Sequence, residues 1–165
     1  PINNATFAIH SRIHHARPDV KAVAHAHTKY GRGFSALGEL LAPISQDACL
    51  FYENHSLFDV FTGVVADLDE GDMIANSLGV NMAVILQNHG LITVGNSVDA
   101  CVANFVLMDS CCQSQLLAQA AGKMKTIDHD TAIATKRANG LDLVTWGNFQ
   151  PYYQVVLSQD NSFLD

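Results

Sequence analysis

The segment MAVILQNHGLITVG at residues 82–95 narrows the choice of fold more than any other stretch of this chain. Two short apolar runs flank Asn88-His89-Gly90, and their length suits buried strands, while the Asn-His-Gly triplet suits the turn between them. Strand, turn, strand is the reading. A third strand is expected at residues 20–27, VKAVAHAH, where β-branched valines lead into two histidines.

Helical patterns lie between these runs. Residues 7–17 keep near-helical apolar spacing until Pro18, which disfavours helix in the residue before it. Residues 28–38 form a second helix closed by Gly38. Asp67 with Glu70 three positions on matches a capping box, opening a helix that places Ile74 and Leu78 on one face and ends at Gly79. Ser97 caps the longest helix, which runs to Gly122 with Val98, Cys101, Val102, Phe105, Met108, Cys112, Gln115, Leu116 and Gln119 along one stripe. Residues 43–61 read as short strands joined by loops. The tail, residues 123–165, is expected to pack on the domain or on a neighbouring subunit, with a strand at its YQVVL run. No repeat or linker divides the chain, so residues 1–165 are read as one domain.

Composition excludes several function classes. A net charge of -7 without any Lys/Arg cluster argues against nucleic acid as a partner, and no apolar run reaches the roughly 20 residues of a membrane span. Only 15% of residues are charged, which points to much surface being buried in the core or against other subunits. Cys49, Cys101, Cys111 and Cys112 read as buried thiols in a reducing cytoplasm rather than a disulfide framework.

The chemistry concentrates in histidine. Residues two apart on a strand face the same way, so His25 and His27 direct two imidazoles toward one point. Imidazole suits zinc, iron, nickel and copper, and a catalytic centre usually takes three protein ligands while leaving a position open. His89, in a turn after a buried strand and followed by Gly90, is the candidate third ligand. His10 and His14, four apart on the first helix, are read as packing or surface groups, and His129 as solvated. His55, near Glu53 and Asp59, is a candidate fourth ligand or proton relay.

RPDVKAVAHAHTKYG at residues 17–31 and VILQNHGLITVG at residues 84–95 are together similar to the paired motifs of the class II aldolase/adducin family. The resemblance covers residues 1–122 and fades in the tail. It implies a three-layer α/β/α sandwich around a mainly antiparallel sheet, and usually a fourfold-symmetric homotetramer with active sites where subunits meet. It also implies a chain lacking the family's N-terminal segment, whose phosphate-binding loops would precede Pro1. His25, His27 and His89 match the metal ligands, zinc being the first expectation and ferrous iron or another divalent ion the next. In the family's aldolases the metal acts as a Lewis acid on a small hydroxy-carbonyl substrate, and a glutamate transfers the proton. That glutamate's position is held here by Thr6, which has no usable ionisation near neutrality.

Lyase or epimerase chemistry therefore needs another proton-transfer group, and Glu53, His55 and Tyr52 are the candidates, with Tyr30, Tyr152 and Tyr153 behind them. Two alternatives accompany this expectation. One is an iron-dependent oxidative decarboxylase or oxygenase on the same fold. The other is an adducin-like binding or scaffold protein without catalysis.

Overall fold

A computed structural model of the chain describes residues 3–61, 63 and 68–164. Helix α1 (Asn4–Ala16) opens on Asn3, whose side chain accepts the N–H groups of Ala5 and Thr6, and stops one residue before Arg17-Pro18. Strand β1 (Ala22–Ala26) ends at the first histidine pair, and Thr28 then caps α2 (Lys29–Ser35). A 3₁₀ turn (Ala48–Phe51) leads to β2 (His55–Phe58), followed by α3 (Leu68–Leu78), β3 (Ala83–Leu86) and β4 (Gly90–Gly95). The rest is helical: α4 (Val98–Ala121), α5 (His129–Asn139) and α6 (Asp142–Gln159).

The sheet runs β1-β4-β3-β2, antiparallel at β1/β4 and β4/β3 and parallel at β3/β2. It is a mainly antiparallel sheet with helices on both faces. One face carries α1 and α3 over Ile9, Ile13, Ile74, Leu78, Val84 and Ile92. The other carries α2 and α4 over Phe34, Phe51, Ile85, Leu91, Met108 and Cys112. This explains why β3 and β4 read as unbroken apolar runs, since residues alternating to either side all meet a helix layer. Long-range polar contacts lock the first face: Arg12 makes a two-pronged ion pair with Asp72, and Arg17 holds Asp19 while donating to the carbonyls of Gly79 and Asn81.

Two expectations change, and a third is not settled by the described residues. The capping box rests partly on Asp67, which lies outside the described residues. The buried face of α4 is Ala100, Cys101, Ala103, Asn104, Met108, Cys111, Cys112 and Gln115, while Val98 is exposed. The helix is covered both by the sheet and by α6, so its buried surface is broader than one stripe and rotated from it. The YQVVL run is not a strand but the second half of α6. Trp146, Phe149, Tyr153 and Val156 recur at helical spacing, and contact with α4 overrides the β preference of the paired valines. Pro151 sits inside this helix.

The four cysteines are free and buried. Burial pushes the Cys111 thiol up to about 12 and raises Cys49, Cys101 and Cys112 as well, so all four remain protonated, unreactive thiols. No helix among the described residues is long and apolar enough to cross a membrane.

Candidate metal centre

The end of β1 and the β3–β4 turn bring the three histidines together. Ala26 pairs with Leu91 and Gly90 pairs with Leu86, so the turn holding His89 lies beside the strand end holding His25 and His27. The turn is closed by the His89 N–H donating to the Leu86 carbonyl, with Asn88 in the left-handed region that asparagine tolerates. Gly90 lets the strands approach: a β-carbon there would stand 3.0 Å from the Ala26 carbonyl oxygen.

The Nε2 atom of His27 lies 3.2 Å from Nε2 of His25 and 2.7 Å from Nε2 of His89. The ring centroids are 4.6 to 5.0 Å apart in edge-on arrangements. The His25 Nδ1–H donates to the Leu91 carbonyl at 2.9 Å, which leaves the Nε2 lone pair directed at the common point. Burial lowers the pKa of His25 to about 4, against the opposing pull of the Leu91 hydrogen bond, and also lowers that of His89. Both rings are neutral at pH 7, the form in which imidazole ligates. A divalent ion with bonds of about 2.1 Å needs tetrahedral ligand separations of roughly 3.4 Å. The three nitrogens reach that with a small outward movement, so the donor set fits the ion. His27 is exposed, leaving one side of the site open.

Asp109 on α4 fixes the strand end from behind. Its Oδ1 accepts the Thr28 hydroxyl at 2.5 Å and the Gly31 N–H at 2.8 Å, pinning the residue directly after His27. Around the triad stand two further titratable groups. Glu70, 8% exposed, lines a small cavity with His89, and its charge opposes the lowering of the His89 pKa. His10 on α1 is close enough for its charge to be felt by His25, and burial lowers its own pKa. Thr6, one turn earlier on the same helix, is exposed.

The other sequence candidates lie elsewhere. His55 is no free relay: its Nδ1–H donates to the Phe51 carbonyl at 2.6 Å, its Nε2 accepts the Leu41 N–H at 2.9 Å, and the residue is 7% exposed. It pairs with Ala83 at the start of β3, whereas His89 follows the end of that strand. Glu53 and Tyr52 precede His55 at that far end, at least the length of β3, about 10 Å, from the triad. Both turn toward α5, where Tyr52 Oη and Glu53 Oε1 lie 3.3 and 3.7 Å from Nδ1 of His129. Within one chain they do not meet the metal centre.

Sequence reasoning missed Asp109 and the Leu91 carbonyl. Asp109 lies 81 positions from Thr28 in a helix whose spacing signals only a core face, and a backbone carbonyl has no sequence signal at all. Glu70 carries a sequence signal only as part of a helix cap.

Residues 1–116 match the model of the Class II Aldolase and Adducin N-terminal domain. The chain belongs to this family. Among relatives of the class II aldolase/adducin family, decarboxylase NovR of Streptomyces niveus is 49% identical over 159 residues, 96% of this chain and 59% of that protein. The 4-hydroxy-3-prenylphenylpyruvate oxygenase/4-hydroxy-3-prenylbenzoate synthase of Streptomyces roseochromogenus subsp. oscitans is 46% identical, again over 96% of this chain, and over 57% of its own. The structure of L-fuculose 1-phosphate aldolase from Glaciozyma antarctica PI12 superposes with a TM-score of 0.87 at 41% identity, covering 96% of this chain and 60% of that one. The chain thus spans about six-tenths of the length of these relatives.

Proposed function

We propose that this chain is the metal-binding part of a divalent-metal-dependent enzyme that breaks a carbon–carbon bond beside a carbonyl group in a small, oxygen-rich substrate. The observation carrying the reading is the convergence of three imidazole nitrogens from His25, His27 and His89 on one open point, with His25 held neutral by burial and oriented by the Leu91 carbonyl. A bound ion there would supply Lewis-acid polarisation of substrate oxygens and, if ferrous iron, a redox centre for dioxygen. The residues of the chain supply the rest: Asp109 and Thr28 hold the strand end, Gly90 allows the turn to close on it, and exposed His27 marks the face where substrate enters.

Among such reactions, decarboxylation of an oxo acid fits better than aldol cleavage. Aldol cleavage needs a group that removes a proton, and Thr6 stands where the family's aldolases place a glutamate. Departure of carbon dioxide needs no carboxylate base, and the two Streptomyces relatives are a decarboxylase and an oxygenase. Zinc is the ion for a purely Lewis-acid lyase, iron for an oxidative decarboxylase. We place the enzyme in the cytoplasm as a homotetramer. Support for assembly comes from apolar side chains left at the surface, among them Val80, Leu143 and Trp146. A scaffold role alone is disfavoured, because it gives no physical reason to converge three imidazoles.

Anaerobic loading with zinc or ferrous iron, elemental analysis, and assays of carbon dioxide release and oxygen uptake on 2-oxo acids test the reading. Metal content lost in His25→Ala, together with iron- and oxygen-dependent carbon dioxide release, is the expected result. Zinc-only cleavage would return the chain to the aldolase class; absence of bound metal in the unaltered protein would overturn both.

A further inference from the structure

A cavity of about 490 Å³ opens at the end of the sheet opposite the histidines, where α5 and the start of α6 close over the ends of β3 and β4. Its floor is apolar, with Leu50, Met82 and Val94. Its polar wall is unusual for this chain. Asn104, in the second turn of α4, is 5% exposed and lines the cavity, and among the described residues its carboxamide makes no hydrogen bond and is not sealed from the open space. A carboxamide left unbonded on a cavity wall offers both a donor and an acceptor to whatever enters.

The charged groups lining the cavity with Asn104 are two cations and one carboxylate. Lys136 reaches the cavity from α5 and spends one N–H on the Tyr52 carbonyl at 2.8 Å, which leaves two more. Arg137 follows it, also lining the cavity and forming no ion pair among the described residues. Two of the chain's nine Lys and Arg residues thus meet at one cavity in a protein of net charge -7. The carboxylate lining the cavity, Asp142, sits beside the Asn96 amide nitrogen at 3.4 Å. A guanidinium presents paired donors suited to a carboxylate or phosphate, an ammonium adds a point charge, and the volume falls in the range of small-molecule sites.

We infer that this cavity is a second binding site, for a small organic anion whose carboxylate or phosphate is held by Arg137 and Lys136 and whose polar body reaches Asn104. The site is separate from the metal centre and does not depend on which reaction the histidines support. The ligand would tie α5 to α4, and Trp146, beside the cavity-lining Thr145 and the chain's single tryptophan, reports on that junction.

Titrating the full chain with inorganic phosphate and with succinate, followed by Trp146 fluorescence and calorimetry, tests the inference. We expect saturable binding of at least one, the tighter identifying the anionic group. Arg137→Gln, at the surface, should weaken it about tenfold or more, Asn104→Ala should weaken it too, and His25→Ala should leave it unchanged. Absence of saturable binding by either anion overturns the inference, as does binding indifferent to Arg137→Gln or abolished by His25→Ala, which would place the anion at the histidines.

Discussion

Replacing Asp109 with alanine should lower both the stability of the chain and its affinity for metal, although Asp109 touches no histidine. Its Oδ1 accepts two hydrogen bonds, from the Thr28 hydroxyl and the Gly31 N–H. Bonds to a charged acceptor are worth about 1.5–3 kcal/mol each when their partner is left unsatisfied. Two features reduce the sum. The Gly31 N–H also reaches the Thr28 hydroxyl oxygen at 3.2 Å, and the site is only half-buried, so water replaces part of what is lost. A net loss of about 2 kcal/mol remains, which for a chain of this size lowers Tm by roughly 4–8 °C. Because Thr28 directly follows His27, loosening it should also weaken zinc binding about tenfold, within the range seen when groups supporting metal ligands are removed. Urea unfolding of the metal-free protein gives the first quantity and chelator competition the second. Thr28→Ala supplies the control: if both variants break the same bond, the double variant should fall short of their sum by at least about 1 kcal/mol. Additive losses, or a stability loss with unchanged zinc affinity, would refute the claim that Asp109 works through the strand end.

Gly90→Ala should destabilise the chain by about 1–2 kcal/mol and weaken metal binding, because its β-carbon would press on the Ala26 carbonyl oxygen at 3.0 Å; unchanged thermal unfolding would contradict the close approach. Burial holds the pKa of His55 below its ordinary 6.5. The unfolded chain therefore takes up the proton first, and the stability His55 contributes is present above about pH 6.5 and lost as pH falls toward its folded pKa. His55→Gln should flatten the decline of Tm between about pH 7 and pH 5, although His25 and His10 keep their share of it; a slope equal to that of the unaltered protein counts against a neutral, buried His55. Pro151→Ala should raise Tm by restoring a backbone donor within α6, a gain of about 1–2 kcal/mol at this exposed position, and a lowered Tm would show that the proline shapes the helix for its contact with α4.

What could be read from the sequence and what could not divide along a physical line. Strands β1, β3 and β4 were legible because a two-sided sheet demands contiguous apolar residues. The triad was legible because only a few side chains can ligate a metal. Where any group of the right polarity serves, legibility fails. His55 looked like a free loop imidazole until its partners, the Phe51 carbonyl and the Leu41 N–H, were known, and neither leaves a trace in residue identity. The Leu91 carbonyl that sets the tautomer of His25 is equally silent. In α6 the local signal was misleading: the paired valines favour a strand, and the contact of α6 with α4 decides for helix although Trp146, Val155 and Val156 stay exposed. The same division bears on function. On the proposed function, the motifs carry the ligand set of a divalent ion, whereas the reaction depends on what faces the ion's open side. Here Thr6 removes the aldolase base, and the titratable groups that the triad does feel in this chain are Glu70 and His10, on the helices packed beside it. On that proposal the chain keeps the electrophile of its family while the proton chemistry around it changes, and the histidines therefore constrain the metal centre more tightly than the substrate.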